Sequence, residues 1–176
     1  MRRRTGTVLA LAALSGAMLA GCTPEAPVET TPPTSAAPTV SEEEARAAWE
    51  AYQAALSDAG AEPEGASLDQ LEAVASSELA RQQFESFEQA AALGARVEGE
   101  RSTQNFRFQA GALEAAVCVD ISSERLINAS GEDITPSDQA GQLSRVVSFA
   151  SEDSRLLVSA DRSHESSDGS DPCSAS

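Results

Sequence analysis

The chain has 176 residues, 28 of them acidic against 12 basic, for a formal net charge of −16. A surface this negative repels the phosphates of nucleic acid and of anionic headgroups, so DNA and RNA are set aside as partners. With 41% apolar residues but only 4% aromatic, residues 41–176 can bury one modest core and leave no room for a second domain.

The N-terminus reads as a processing segment. Arg2, Arg3 and Arg4 precede an apolar run from Val8 to Leu19, which matches the charged and hydrophobic regions of an export signal. A membrane-spanning helix needs about 20 apolar residues, so this run is too short to span. The run exits through Leu19, Ala20, Gly21 and Cys22, a quartet that resembles the lipobox of bacterial lipoproteins. In those proteins the cysteine thiol carries diacylglycerol and becomes the mature N-terminus, which here implies cleavage of residues 1–21 and lipidation at Cys22. Two acyl chains anchor stably where one is marginal, so the expected state is attached to the membrane without crossing it. Thr5 and Gly6 after the arginines favour general secretion over the twin-arginine route. Loss of residues 1–21 leaves 9 basic against 28 acidic side chains, a net charge of −19. Every basic residue is Arg, which reads as coding bias rather than chemistry.

Residues 22–40 contain "TPEAPVETTPPTSAAPTV" and offer almost nothing to bury. The composition predicts a disordered tether reaching about 55 Å at roughly 3.1 Å per residue. Its threonines beside prolines are compositional candidates for O-glycosylation.

Folded structure is announced at Ser41. Ser41 and Glu44 have capping-box spacing, Glu42 and Glu43 suit the helix dipole, and Gly60 can close the far end. Ala45, Ala48, Trp49, Tyr52 and Leu56 recur at three- and four-residue steps, giving an amphipathic helix with one buried stripe. A second start signal at Ser67 with Gln70 opens a helical run to Gly94, and Ser76–Ser77 is the expected break into two helices. Trp49, Tyr52, Phe84 and Phe87 could form an aromatic ligand cage, but at helical spacing they read as core.

After Gly94 the pattern changes to alternation. "ARVEGE", "QNFRFQA", "ALEAAVCVDIS", "ERLINA", "QLSRVVSFAS" and "RLLVSADR" read as six short strands separated by turn signals. Hairpin-sized links make the sheet antiparallel, and helices followed by sheet make the fold α+β. With Cys22 acylated, Cys118 and Cys173 remain as an even pair in an oxidising compartment. A disulfide closing their 55-residue separation would contribute about 4 kcal/mol on the chain-entropy model. Two free thiols in a redox or metal role would lack a Cys-x-x-Cys spacing and a ligand set. In "EAAVCVDIS", Val117, Val119 and Ile121 share one face, while Cys118 and Asp120 share the other. If the valine face meets the helices, the polar tail must cross the opposite face to bring Cys173 to Cys118.

The helices "AAWEAYQAAL", "LDQLEAVASSEL" and "QQFESFEQAAALG", followed by "EAAVCVDIS", "LLVS" and the "DPC" tail, resemble small actinobacterial-type lipoproteins of the cystatin-like, nuclear-transport-factor-like superfamily. The resemblance runs from Ser41 to Cys173 and implies helices packed on a strongly curved antiparallel sheet, a cone with an open mouth. Enzymes of that superfamily carry Asp, His or Tyr residues in the pocket.

Chemistry-bearing residues are sparse. His164, the single histidine, sits in the polar tail and reads as a solvated loop residue, and Tyr52, the single tyrosine, lies on the helix stripe. No Gly-x-Ser-x-Gly or comparable nucleophile turn occurs. Asp120 could serve as a general base only in a dry cavity, and its strand face points it outward. "DGSD" at Asp168–Asp171 has oxygen donors but not the calcium-loop spacing, so no metal or cofactor is expected. Asn128-Ala129-Ser130 matches a glycosylation sequon, a signal without meaning in a bacterium. The resulting expectation is a non-enzymatic module of the cell envelope, held on the outer face of the bacterial cytoplasmic membrane and engaging an envelope protein or a small apolar ligand. An isomerase- or hydrolase-type enzyme using the cone pocket is the alternative.

Overall fold

The computed structural model describes residues 40–165 and 171–174. Cleavage of residues 1–21, lipidation at Cys22, the tether up to residue 39 and Asp168 of "DGSD" lie outside the described residues.

Helix α1 covers Glu42–Ala61 and begins with the expected capping box. The Glu44 amide donates to Ser41 Oγ at 3.2 Å, and the Ser41 amide donates to Glu44 Oε2 at 2.9 Å. These bonds to Ser41 hold the Glu44 carboxyl below its ordinary range. At the far end Gly60 is not the cap. The helix runs on to Ala61 and closes with the Glu62 amide donating to the Asp58 carbonyl at 3.1 Å. Gly60 is instead a contact point, since a Cβ there would stand 3.6 Å from Val97 and 3.9 Å from Phe87.

A single 3-10 turn at Pro63–Gly65 leads to α2, Leu68–Glu72, and α3 follows at Ser77–Ala92. Ser67 stands at the start of α2 as the sequence signals, though its side chain makes no capping bond. Two helices replace one because the linker between them pairs like a strand. The Ser76 amide donates to the Val158 carbonyl at 2.9 Å, and the Val158 amide donates to the Val74 carbonyl at 3.1 Å. This short parallel bridge covers part of the open edge of the last strand.

All six strands form: β1 Arg96–Glu98, β2 Ser102–Gln109, β3 Glu114–Asp120, β4 Arg125–Ile127, β5 Gln142–Glu152 and β6 Arg155–Ser163. They make two antiparallel ladders rather than one sheet: a four-stranded sheet ordered β2-β3-β5-β6 and a two-stranded ladder β1-β4. The reason is a shared bend. Successive strands β1 and β2 run beside successive strands β4 and β3, and pairing lapses at residues 99–101 and 121–124. Gly99 permits the bend, with φ of +105° and its Cα so close to Ser123 that any Cβ would lie 2.2 Å from the Ser123 carbonyl oxygen. Ser123 Oγ bridges the gap, donating to the Glu100 carbonyl at 2.7 Å and accepting from the Glu100 amide at 3.1 Å.

The core lies between the helices and one face of the larger sheet. Trp49, Tyr52, Leu71, Val117, Val147 and Val158 are its fully buried large members. Val117, Val119 and Ile121 line it as the alternation predicts, and Phe149 stacks edge-on to Phe106 and Phe108. On the opposite face Cys118 is bonded to Cys173, so the tail crosses there. The crossing is pinned further by Asn105 Nδ2 donating to the Pro172 carbonyl at 3.1 Å and by Ser144 Oγ donating to Asp171 Oδ1. Pro172 is fully buried in this clamp.

Candidate functional site

A cleft opens where α1 and α3 meet the bend of the strands. It consists of two adjoining hollows of about 180 and 190 Å³ that share Leu56, Gln83 and Arg101. One reaches toward Phe87, Val97 and Gly99, the other toward Trp49, Leu143 and Arg145. A larger hollow of about 330 Å³ between the ends of α1 and α3 is lined by Glu62, Pro63, Glu64, Arg96 and small residues, with no large apolar wall.

The charged groups of the cleft are paired with one another. Arg101 Nε donates to Glu124 Oε1 at 2.6 Å, and Arg101 Nη1 donates to Gln53 Oε1 at 3.4 Å. Arg145 Nε donates to Asp161 Oδ1 at 2.7 Å, while its Nη2 donates to the Asp161 carbonyl at 3.2 Å and its Nη1 to Ser163 Oγ at 3.3 Å. The four side chains are 23% and 12% exposed in the first pair and 23% and 9% in the second, the most enclosed ion pairs among the described residues. Two cations are matched by two anions, so the cleft is neutral as a whole.

Beneath this layer lies Tyr52, wholly buried, with a hydroxyl that has no hydrogen-bond partner. Burial pushes the phenol well above its ordinary value, and the negative charge of Asp161 adds to the effect. Trp49 fares differently: its indole Nε1 donates to Thr103 Oγ1 at 2.9 Å. Both rings belong to the core, although Trp49 also borders the cleft. Phe87 lines the cleft as well, and Phe84 packs against the core.

The other residues singled out in the sequence fall elsewhere. Asp120 accepts a hydrogen bond from the Ser122 amide at 2.9 Å, and its hydrogen bonds with Ser122 hold its carboxyl below the ordinary range. An acid kept ionised at a strand end is a turn former, not a raised-pKa base. His164 is half-buried rather than solvated, because its amide donates to the Ser144 carbonyl at 2.8 Å and prolongs the pairing of β6 with β5. Asp171 is drawn into the tail clamp, where bonds from Ser144 and from the Cys173 amide lower its pKa. Asn128 organises its own turn, its Oδ1 accepting from the amides of Ser130 and Glu132. No group of three or more His, Cys, Asp or Glu side chains that could hold a metal occurs among the described residues.

The paired residues of the cleft were missed in the sequence, though a signal was present. Leu143, Arg145, Val147 and Phe149 alternate within β5, and Val147 faces the core. An arginine in step with that face must meet a partner, and Asp161 on β6 lies across from Val147 in the neighbouring register.

No protein-family model matches the sequence, and no curated protein matches it. Among solved structures, the crystal structure of the intermembrane space region of the chloroplast protein ARC6 is similar, with a TM-score of 0.50 and 15% identity over 73% of this chain and 100% of that one. At that identity the likeness shows the fold alone, helices against antiparallel sheet.

Proposed function

We propose that this chain is a lipid-anchored lipoprotein on the outer face of a bacterial cytoplasmic membrane, whose folded domain binds a small ligand in the cleft without transforming it. The cleft carries the binding half of this reading. One of its hollows sets Leu56, Val119 and Leu143 beside five polar side chains, of which Arg101, Arg145 and Asp161 are fixed by ion pairs, and a concave mix of apolar wall and placed polar groups is what a small-molecule site requires. Its chemistry is poor for catalysis. Glu124 and Asp161 are engaged by guanidinium groups, and the phenol of Tyr52 stays protonated far above neutral pH, so none is poised to exchange protons with a substrate.

The anchoring half rests on the sequence, supported by the disulfide. Cys118 and Cys173 are joined, as suits an oxidising compartment, and Cys22 is left as the odd cysteine directly after an apolar run. A cystatin-like domain on a tether is the form this reading takes.

Native mass spectrometry of the protein extracted from its own membranes tests both halves. The expected result is recovery in the membrane fraction with a non-covalent small molecule released on denaturation. Recovery in the soluble fraction contradicts the anchor, and a protein without adduct contradicts the ligand.

A further inference from the structure

We infer that the cleft selects an uncharged ligand, one that presents an amide-type donor and acceptor on a small apolar body. This inference rests on the cleft being a binding site. Three observations lead to it. First, the cleft is neutral as built, since Arg101 is held by Glu124 and Arg145 by Asp161 at 2.6 and 2.7 Å. A charged ligand would either stay unmatched in a half-enclosed space or have to open one of these pairs, and both cost free energy. Second, the protein carries a net charge of −16, which opposes an anion on approach. A cation is drawn to the surface, but the two carboxylates it would seek inside are already occupied.

Third, the half-buried polar side chains left over are amides, the hydroxyl of Ser57 at the rim being exposed. Gln53 accepts from Arg101 through Oε1, while its Nε2 makes no hydrogen bond among the described residues, and neither does the side-chain amide of Gln83. Both glutamines are half-buried, and a primary amide offers adjacent donors and an acceptor that match a second amide reciprocally. The apolar remainder of the ligand would lie against Phe87, Val97 and Leu143, the half-buried apolar side chains of the lining.

The test uses three probes of one shape and different charge: benzamide, benzoate and benzamidinium. Trp49 is the single tryptophan of the chain and lies fully buried directly behind the cleft wall, so its emission senses a change of environment when the cleft fills. Each probe is titrated into the full-length chain in detergent micelles, with excitation selective for tryptophan. Benzamide should give a saturable change at a concentration about tenfold lower than either charged probe. Gln83→Leu should weaken it by about fivefold, and Gln53→Leu similarly. Equal or tighter binding of benzoate or benzamidinium overturns the selectivity but leaves the cleft as a binding site. Binding of benzamide that neither substitution alters places it elsewhere and overturns the assignment. A flat response to all three probes removes the binding site itself, and the inference with it.

Discussion

Arg101 and Glu124 lie on opposite sides of the bend, each in the unpaired segment between two strands, and are joined by a 2.6 Å hydrogen bond that closes the corner between the two ladders. One guanidinium therefore serves two purposes, holding β1-β4 at its angle to the larger sheet and forming part of the cleft wall. Replacing Arg101 by Met leaves the enclosed carboxylate of Glu124 without its partner, at a cost of about 3 kcal/mol. The double replacement Arg101→Met with Glu124→Leu should recover most of that loss. Urea denaturation of the four forms of this double-mutant cycle measures the coupling, and simple additivity would show that the pair does not hold the corner.

Gly99→Ala attacks the same corner from the backbone. The added methyl would meet the Ser123 carbonyl at 2.2 Å in a left-handed conformation that L-residues avoid. A loss above about 2 kcal/mol is expected. Thermal unfolding checks it, and an unchanged midpoint would mean that the bend does not need a glycine.

Tyr52→Phe should be neutral or stabilising by up to about 1 kcal/mol. It removes a buried hydroxyl that has no partner while keeping the ring that packs 5.8 Å from Trp49. A clear loss in chemical denaturation would reveal a bond to the phenol.

Asp171 gives the tail clamp a pH dependence. Its folded pKa is depressed by bonds from Ser144 and the Cys173 amide, so its contribution is complete above the ordinary carboxylate value of about 3.9 and is lost as pH falls through the lower folded value. A carbon-detected NMR titration of the Asp171 carboxyl should give a midpoint below that of the unfolded chain. A midpoint at or above it would mean that the clamp does not form.

Much of the fold was legible because local signals and burial agree. The capping box at Ser41 and Glu44, the stripe of Trp49, Tyr52 and Leu56, and the valine face of β3 each follow from spacing, and each recurs in the structure. The split into two ladders was not legible, because the bend depends on Gly99 meeting the backbone of Ser123, a contact between residues far apart in sequence. Gly60 misled for a related reason: its use is close approach to Val97, not helix termination. The disulfide could be read from cysteine arithmetic and strand parity. The cleft pairs could not, because each joins residues of two separate chain segments, and only the misplaced charge of Arg145 on an inward face hinted at them.

The Cys118–Cys173 bond restrains a 55-residue loop and fixes the tail against the sheet. Cys118→Ser and Cys173→Ser should each lower stability by the same amount, at most about 4 kcal/mol, and the double variant should be no worse than either single one. Differing or additive losses in calorimetry would show that the two sulphurs act separately.

The division of labour among the three cysteines is tested most directly by intact mass spectrometry of native protein after alkylation under denaturing, non-reducing conditions. The expected species begins at Cys22, carries a diacylglyceryl group there and takes up no alkylating reagent, because Cys118 and Cys173 are joined. A chain that retains residues 1–21, an unmodified Cys22, or alkylation at Cys118 or Cys173 would contradict it.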